Sequence, residues 1–247
     1  FLRRYAAYLA GQGERVCILE NDFGAVNVDA MLVQDLLELG CEIETISGGC
    51  DCDTHQRRMR TKLISMAMRG FTRVLVEPSG IFDVDEFFDV LRDDPLDRWY
   101  QLGNVIAIVD ALLPEQLSPQ ADYVLASECA NAGLVLLSRG RLAKPGQCEA
   151  AVAHLKRALT ACKCSRVFQP EEILAKDWAA LTEADMARIA RCGMRQASCE
   201  KLHFEEHEAF SSAYFLELGL PRARLERNIP GLFTDPACGR VLRVKGF

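Results

Sequence analysis

The chain of 247 residues lacks any run approaching the roughly 18 consecutive apolar residues of a membrane-spanning helix, which argues against a membrane partner. It also lacks a basic excess. Its 29 Lys and Arg stand against 35 Asp and Glu, and the net charge of −6 argues against a general nucleic-acid binder. The one local basic run, Arg57, Arg58, Arg60 and Lys62, reads as a solvated helix face. No internal repeat or low-complexity segment is evident. Phe1 to Leu9 is amphipathic, without the long apolar run and small-residue cleavage site of a secretory signal. Cysteine, by contrast, is abundant. The eleven residues are odd in number and irregularly spaced, as in a reduced, cytoplasmic protein rather than a disulfide scaffold. Cys17, Cys129 and Cys192 lie in apolar surroundings and read as small core residues.

One stretch concentrates ligand chemistry: Ser47-Gly48-Gly49-Cys50-Asp51-Cys52-Asp53-Thr54-His55. Two glycines permit a tight turn or a close ligand. Two thiols, carboxylates and an imidazole then follow within six residues. The functional reading is a metal site in which Cys50 and Cys52 are joined by ligands drawn from Glu20, Asp53 and His55. The bland reading is a pair of unliganded loop cysteines. A disulfide between them is disfavoured, because redox pairs favour a two-residue spacer.

The pattern around this stretch alternates strand and helix. Leu2, Tyr5, Ala6 and Leu9 form one helical stripe in Phe1–Ala10, which begins in mid-element, as though residues precede it. Strands are expected over Arg15–Glu20, Glu42–Ile46, Arg73–Glu77, Asn104–Asp110 and Leu134–Leu137, with an edge strand at Arg166–Phe168. Helices are expected over Val28–Leu39, Asp53–Arg69, from Asp83, Gln120–Asn131 and Gln147–Ala161. Continuous apolar strands alternating with helices predict a mostly parallel α/β sheet with helices on both faces. In such sheets ligands gather at the carboxyl ends of strands, where five polar clusters fall.

After about Glu171 the pattern changes. Short helices (Glu172–Lys176, Thr182–Ala190) precede a His- and Glu-rich stretch, and Arg240–Val244 alternates like a half-buried strand. The expected division is an α/β domain over 1–170, a helical linker over 171–197 and the start of a C-terminal α+β domain over 198–247. Cys162-Lys163-Cys164 reads as the end of a helix, and the histidines His203 and His207 as a solvated polar stretch.

Six motifs in order carry a family resemblance: Asn21-Asp22-Phe23-Gly24, Gly49-Cys50-Asp51-Cys52-Asp53, Glu77-Pro78-Ser79-Gly80, Val109-Asp110-Ala111, Ser138-Arg139-Gly140-Arg141 and Arg243-Val244-Lys245-Gly246. The chain resembles the CobW-like P-loop GTPases, relatives of the HypB and UreG metallochaperones. The match runs from Phe1 to about Leu142, and weakly from His203 to Phe247. The resemblance implies a phosphate loop immediately before Phe1 that would bind GTP and Mg²⁺. It makes Glu77 the carboxylate that holds Mg²⁺ through water, with Ser79 and Gly80 beside the γ-phosphate. Ser138 and Arg139 would pack on the base. Arg141 stands where the family has a guanine-reading Asp. Arg cannot accept a hydrogen bond, so guanine preference stays open. Cys50, Cys52 and the assisting Glu20 would bind Zn²⁺ or another transition metal. Asp53 replaces a third Cys and shifts the site toward mixed sulfur and oxygen ligation. Ala25 stands where the family has a second acid.

The expected function is a GTP-binding and hydrolysing, metallochaperone-like protein whose nucleotide state sets metal affinity and whose partner is a client metalloprotein. The alternative is a degenerate GTPase-fold protein that hydrolyses nothing and binds a metal or a partner.

Overall fold

The computed structural model describes residues 1–22, 34–47, 52–78, 84–200, 219–239, 241 and 244. Six strands and eight helices are formed there, with single 3₁₀ turns between them. Helix α1 (Leu2–Gly11) leads into β1 (Val16–Asp22) and β2 (Glu42–Ser47). Then come α2 (Cys52–Met68), β3 (Arg73–Glu77), α3 (Val84–Arg92) and the single turn α4 (Leu96–Trp99). The second half holds β4 (Ile106–Asp110), α5 (Pro119–Ala130), β5 (Leu134–Ser138), α6 (Gln147–Ala161), β6 (Ile173–Leu174), α7 (Glu183–Ile189) and α8 (Arg222–Leu232).

All strand pairs are parallel, in two three-stranded sheets ordered β2-β1-β3 and β4-β5-β6. Side chains alternate between the faces of a strand, so each strand serves two cores. Val16 and Ile18 of β1 and Leu134 and Leu136 of β5 join one cluster with Tyr5, Ala6 and Leu9 of α1 and Met186 and Ile189 of α7. Helix α1 therefore packs against both sheets. On the other face, Cys17 and Leu19 of β1 meet Met59, Leu63 and Met66 of α2. Val135 and Leu137 of β5 meet Leu155, Ala158 and Leu159 of α6. Fully burying one such aliphatic side chain is worth about 1.5–3 kcal/mol, so these three clusters dominate the stabilisation.

Local signals set the helix ends. The Ser118 hydroxyl caps α5 by accepting from the Ala121 N–H at 3.2 Å, with Pro119 at the first helical position. Thr182 and Asp185 form a reciprocal capping box at the start of α7. The basic run on α2 is a salt-bridged face, with Lys62 on Glu44 at 2.6 Å and Arg60 on Asp93 at 3.2 Å.

The α/β expectation is met, with differences in detail. The edge strand is Ile173–Leu174 rather than Arg166–Phe168. Arg166 lies over the Phe168 ring at 4.2 Å, bonds the Ala132 carbonyl and pairs with Glu172 at 3.0 Å, so side-chain contacts anchor that stretch. Glu172 closes a 3₁₀ turn, Pro170–Glu172, instead of opening a helix. Gln34–Leu39 is 3₁₀ rather than α. Residues 171–197 supply β6 and bury Leu181, Met186 and Ile189 in the core, so they pack as part of the α/β body. The cap expected at Asp83 and the motif Arg243 to Gly246 (Val244 apart) lie outside the described residues.

Candidate nucleotide and metal edge

Parallel pairing places the ends of β1, β2 and β3 side by side. Glu20 is the register partner of Thr45 on one side and of Glu77 on the other. Register partners in a parallel sheet share a face. Glu20 has the parity of Val16 and Ile18, so it and Glu77 belong to the face covered by α1. Glu20 is buried and Glu77 exposed. The start of α1 lies beside them. The Phe1 backbone nitrogen lies within electrostatic reach of the Glu77 carboxylate. A helix N-terminus next to two strand-end carboxylates is a place where phosphate and its counter-cation both find complementary charge.

The second sheet contributes a matching end. Asp110 closes β4, accepts from the Leu112 N–H at 3.0 Å and takes the guanidinium of Arg139, whose Nε donates at 2.9 Å. Arg139 has φ of 57°, a left-handed conformation that turns the chain sharply after β5. Ser138 donates to the Val109 carbonyl at 3.3 Å. Beyond them opens a cavity of about 270 Å³, bounded by Leu137, Arg139 and Arg141 on one side and by Lys176, Asp177 and Trp178 on the other. Asp177 Oδ2 lies 3.9 Å from Arg141 Nε, and Trp178 makes an edge contact with the Phe1 ring at 5.9 Å. One edge thus runs from Glu20 and Glu77, past the start of α1, to this cavity.

The sequence residues divide accordingly. Glu20, Glu77, Ser138 and Arg139 reach the same edge. Cys52 and Asp53 open α2, but their side chains, together with Cys50, Ser79 and Gly80, lie outside the described residues. Among the described residues no three His, Cys, Asp or Glu side chains are grouped to hold a metal ion. Sequence reasoning missed Lys176, Asp177 and Trp178. Their only signal was a charged pair followed by an aromatic, about 35 residues from the motif they face. Cys17 and Cys129 are buried in the core, and Cys192 is partly buried against it; burial raises Cys17 and Cys192 to about 11 and pushes Cys129 up as well, so these thiols stay protonated.

Comparison with known proteins fixes the ancestry. The family model described as CobW/HypB/UreG, nucleotide-binding domain, matches residues 1–166. The chain belongs to that family. Among curated proteins, it is 27% identical over 137 residues to the zinc chaperone YjiA of Escherichia coli (strain K12), covering 51% of this chain and 41% of YjiA. It is 30% identical over 101 residues to the zinc chaperone YeiR of the same organism, covering 40% of this chain and 30% of YeiR. The match therefore spans less than half the length of either relative. No solved structure matches the chain significantly. Among the described residues, no helix is long and apolar enough to cross a membrane.

Proposed function

We propose that this chain is the switch portion of a GTP-binding and hydrolysing metallochaperone that carries Zn²⁺ as cargo for a client metalloprotein. The observation that carries the reading is that Glu20 and Glu77 at the strand ends of one sheet, and Ser138, Arg139 and the 270 Å³ cavity at the strand ends of the other, flank the same start of α1. The chemistry of a CobW nucleotide-binding domain suits that edge. The start of α1 would hold the phosphates, and Glu77 would hold the water shell of the Mg²⁺ that neutralises them. Ser79 and Gly80, which follow Glu77 in the sequence, would contact the γ-phosphate. The cavity would take the base, beside an Arg139 held in place by Asp110. Asp177 supplies the cavity with the carboxylate that Arg141 cannot. The zinc-chaperone names of the two relatives support a zinc cargo.

The cargo site is Cys50, Cys52 and Asp53, with Glu20 as the fourth donor. Cys52 opens α2, which packs on the face opposite α1, so Glu20 reaches this set only around the carboxyl end of the sheet. That arrangement suits a switch: Glu20 is the register partner of Glu77, so a change of nucleotide state at Glu77 alters whether Glu20 joins the thiolates. The test is a chelator-competition titration of Zn²⁺ in triphosphate- and diphosphate-loaded protein, alongside the double variant Cys50→Ser/Cys52→Ser. A difference of tenfold or more between nucleotide states, and loss of stoichiometric zinc in the variant, are expected. Equal affinities sink the coupling, and unchanged metal content in the variant sinks the site.

A second reading, a nucleotide-binding protein without hydrolysis, draws on Arg141 in the cavity wall in place of a base-reading acid. Phosphate release from Mg·GTP distinguishes the two.

A further inference from the structure

A second group of thiols lies away from this edge, where α6 ends. Cys164 N–H donates to the Leu159 carbonyl at 2.9 Å and Lys163 N–H to the Thr160 carbonyl at 3.0 Å. These are the two bonds of a Schellman motif, with Lys163 in the left-handed position at φ 47°. The motif directs Cys162 and Cys164 onto the cluster that contains Leu159.

A second stretch of chain then pairs with this end. Ser165 N–H donates to the Ser198 carbonyl at 3.0 Å, and Ser198 N–H donates to Ser165 Oγ at 3.1 Å. Glu200 N–H donates to the Cys162 carbonyl at 2.9 Å, and its carboxylate meets Lys163 Nζ at 2.7 Å. The two stretches run antiparallel with one extra residue on the α6 side, so Cys199 faces the Lys163–Cys164 step. Their thiols share a hydrogen bond; burial first, and then that bond, hold Cys199 above the usual thiol range. Thiols in contact across such a pairing need only side-chain rotation to approach disulfide geometry, whose Cα atoms lie roughly 4.4–6.8 Å apart. Both cysteines are free thiols of intermediate exposure, open to a small reagent.

We propose that Cys164 and Cys199 are a reversible dithiol–disulfide pair that staples residues 198–200 to the end of α6. The oxidant is a low-molecular-weight disulfide, RSSR. The Cys164 thiolate attacks one of its sulfurs, breaks the S–S bond and releases RS⁻, leaving a mixed disulfide on Cys164. Cys199 gives up its proton, attacks the Cys164 sulfur and displaces the second RS⁻. Two protein thiols become one disulfide, and RSSR becomes two RSH carrying the two protons. Cys199 reacts second because burial and the hydrogen bond to Cys164 hold its proton. The closed loop contains β6 and α7, so oxidation tightens the part of the α/β body that leads toward His203.

The experiment exposes the full chain to oxidised glutathione, maps peptides without reduction and follows thermal unfolding. A Cys164–Cys199 crosslink is expected. It raises the melting temperature by roughly 5–10 °C, as expected for closing a loop of this length, and dithiothreitol reverses both effects. Cys162→Ser keeps the crosslink and the shift, whereas Cys164→Ser and Cys199→Ser each lose both. A different pairing, glutathione adducts without a crosslink, or a shift that survives in Cys199→Ser overturns the proposal. The mapping on the unaltered chain decides the matter even if a variant fails to fold.

Discussion

Glu128 is a carboxylate on α5 whose acid group is largely withdrawn from solvent, and burial raises its pKa from 4.5 to about 8. The sign of its effect on folding follows. Below about pH 4.5 the folded and unfolded chains both hold the proton, and the group is neutral toward stability. Between 4.5 and 8 only the unfolded chain releases it, so stability falls as pH rises through that window; above 8 the loss is complete. Glu128→Gln keeps the shape and removes the charge. The variant is expected to be more stable than the parent by on the order of 2 kcal/mol at pH 8.5, a figure discounted for residual solvent contact, and indistinguishable from it near pH 4. Urea unfolding at the two pH values checks this; a gain that does not depend on pH rules out the ionisation argument.

At the scale of elements, three backbones meet where β5 begins. Gly133 N–H donates to the Val105 carbonyl, and Val105 N–H donates to the Gly193 carbonyl. A Cβ on Gly133 would lie 2.3 Å from the carbonyl oxygens of both Cys192 and Gly193. Backbone cannot swing aside as a side chain does, so Gly133→Ala is expected to cost about 3 kcal/mol, measured by chemical denaturation. Gly103→Ala meets no such crowding, has no left-handed backbone to strain, and separates this effect from a general intolerance of added methyl groups. This junction was invisible in the sequence because its partners are 28 and 60 residues away. The strands themselves were legible. Val16 to Leu19 and Leu134 to Leu137 are apolar without alternation because both of their faces are covered, and that is a local signal. Arg73–Glu77 and Gln147–Ala161 matched residue for residue. Arg166–Phe168 has the composition of a strand, but its arginine is held by an aromatic face and a distant glutamate. Glu20 and Glu77 were legible as strand ends, whereas Asp177 and Trp178 reach the cavity only through tertiary packing.

For the whole molecule, the consequential element is α1. The two sheets exchange no strand: β3 ends one and β4 the other, and neither has a second neighbour among the described residues. Ile108, in the middle of β4, is 48% exposed, although Leu136 beside it on β5 is buried. Backbone pairing therefore does not couple the halves. The cluster that contains Tyr5, Ala6 and Leu9 does, because it takes Val16 and Ile18 from one sheet and Leu134 and Leu136 from the other. Leu9→Ala removes buried volume at that junction and is expected to cost about 2–5 kcal/mol. The distribution of the loss is more telling than its size. In a Trp99→Phe background the remaining tryptophan, Trp178, touches Phe1 at the start of α1 and reports on the junction, whereas far-ultraviolet circular dichroism averages over both halves. In the parent chain the two signals should change together, as one cooperative unit requires. In Leu9→Ala the tryptophan transition should come first, since the weakened contact is the one that holds the sheets under a common helix. Coincident transitions in the variant mean that some other contact unites the halves, and the site edge running from Glu77 to the cavity then does not depend on α1 for its alignment.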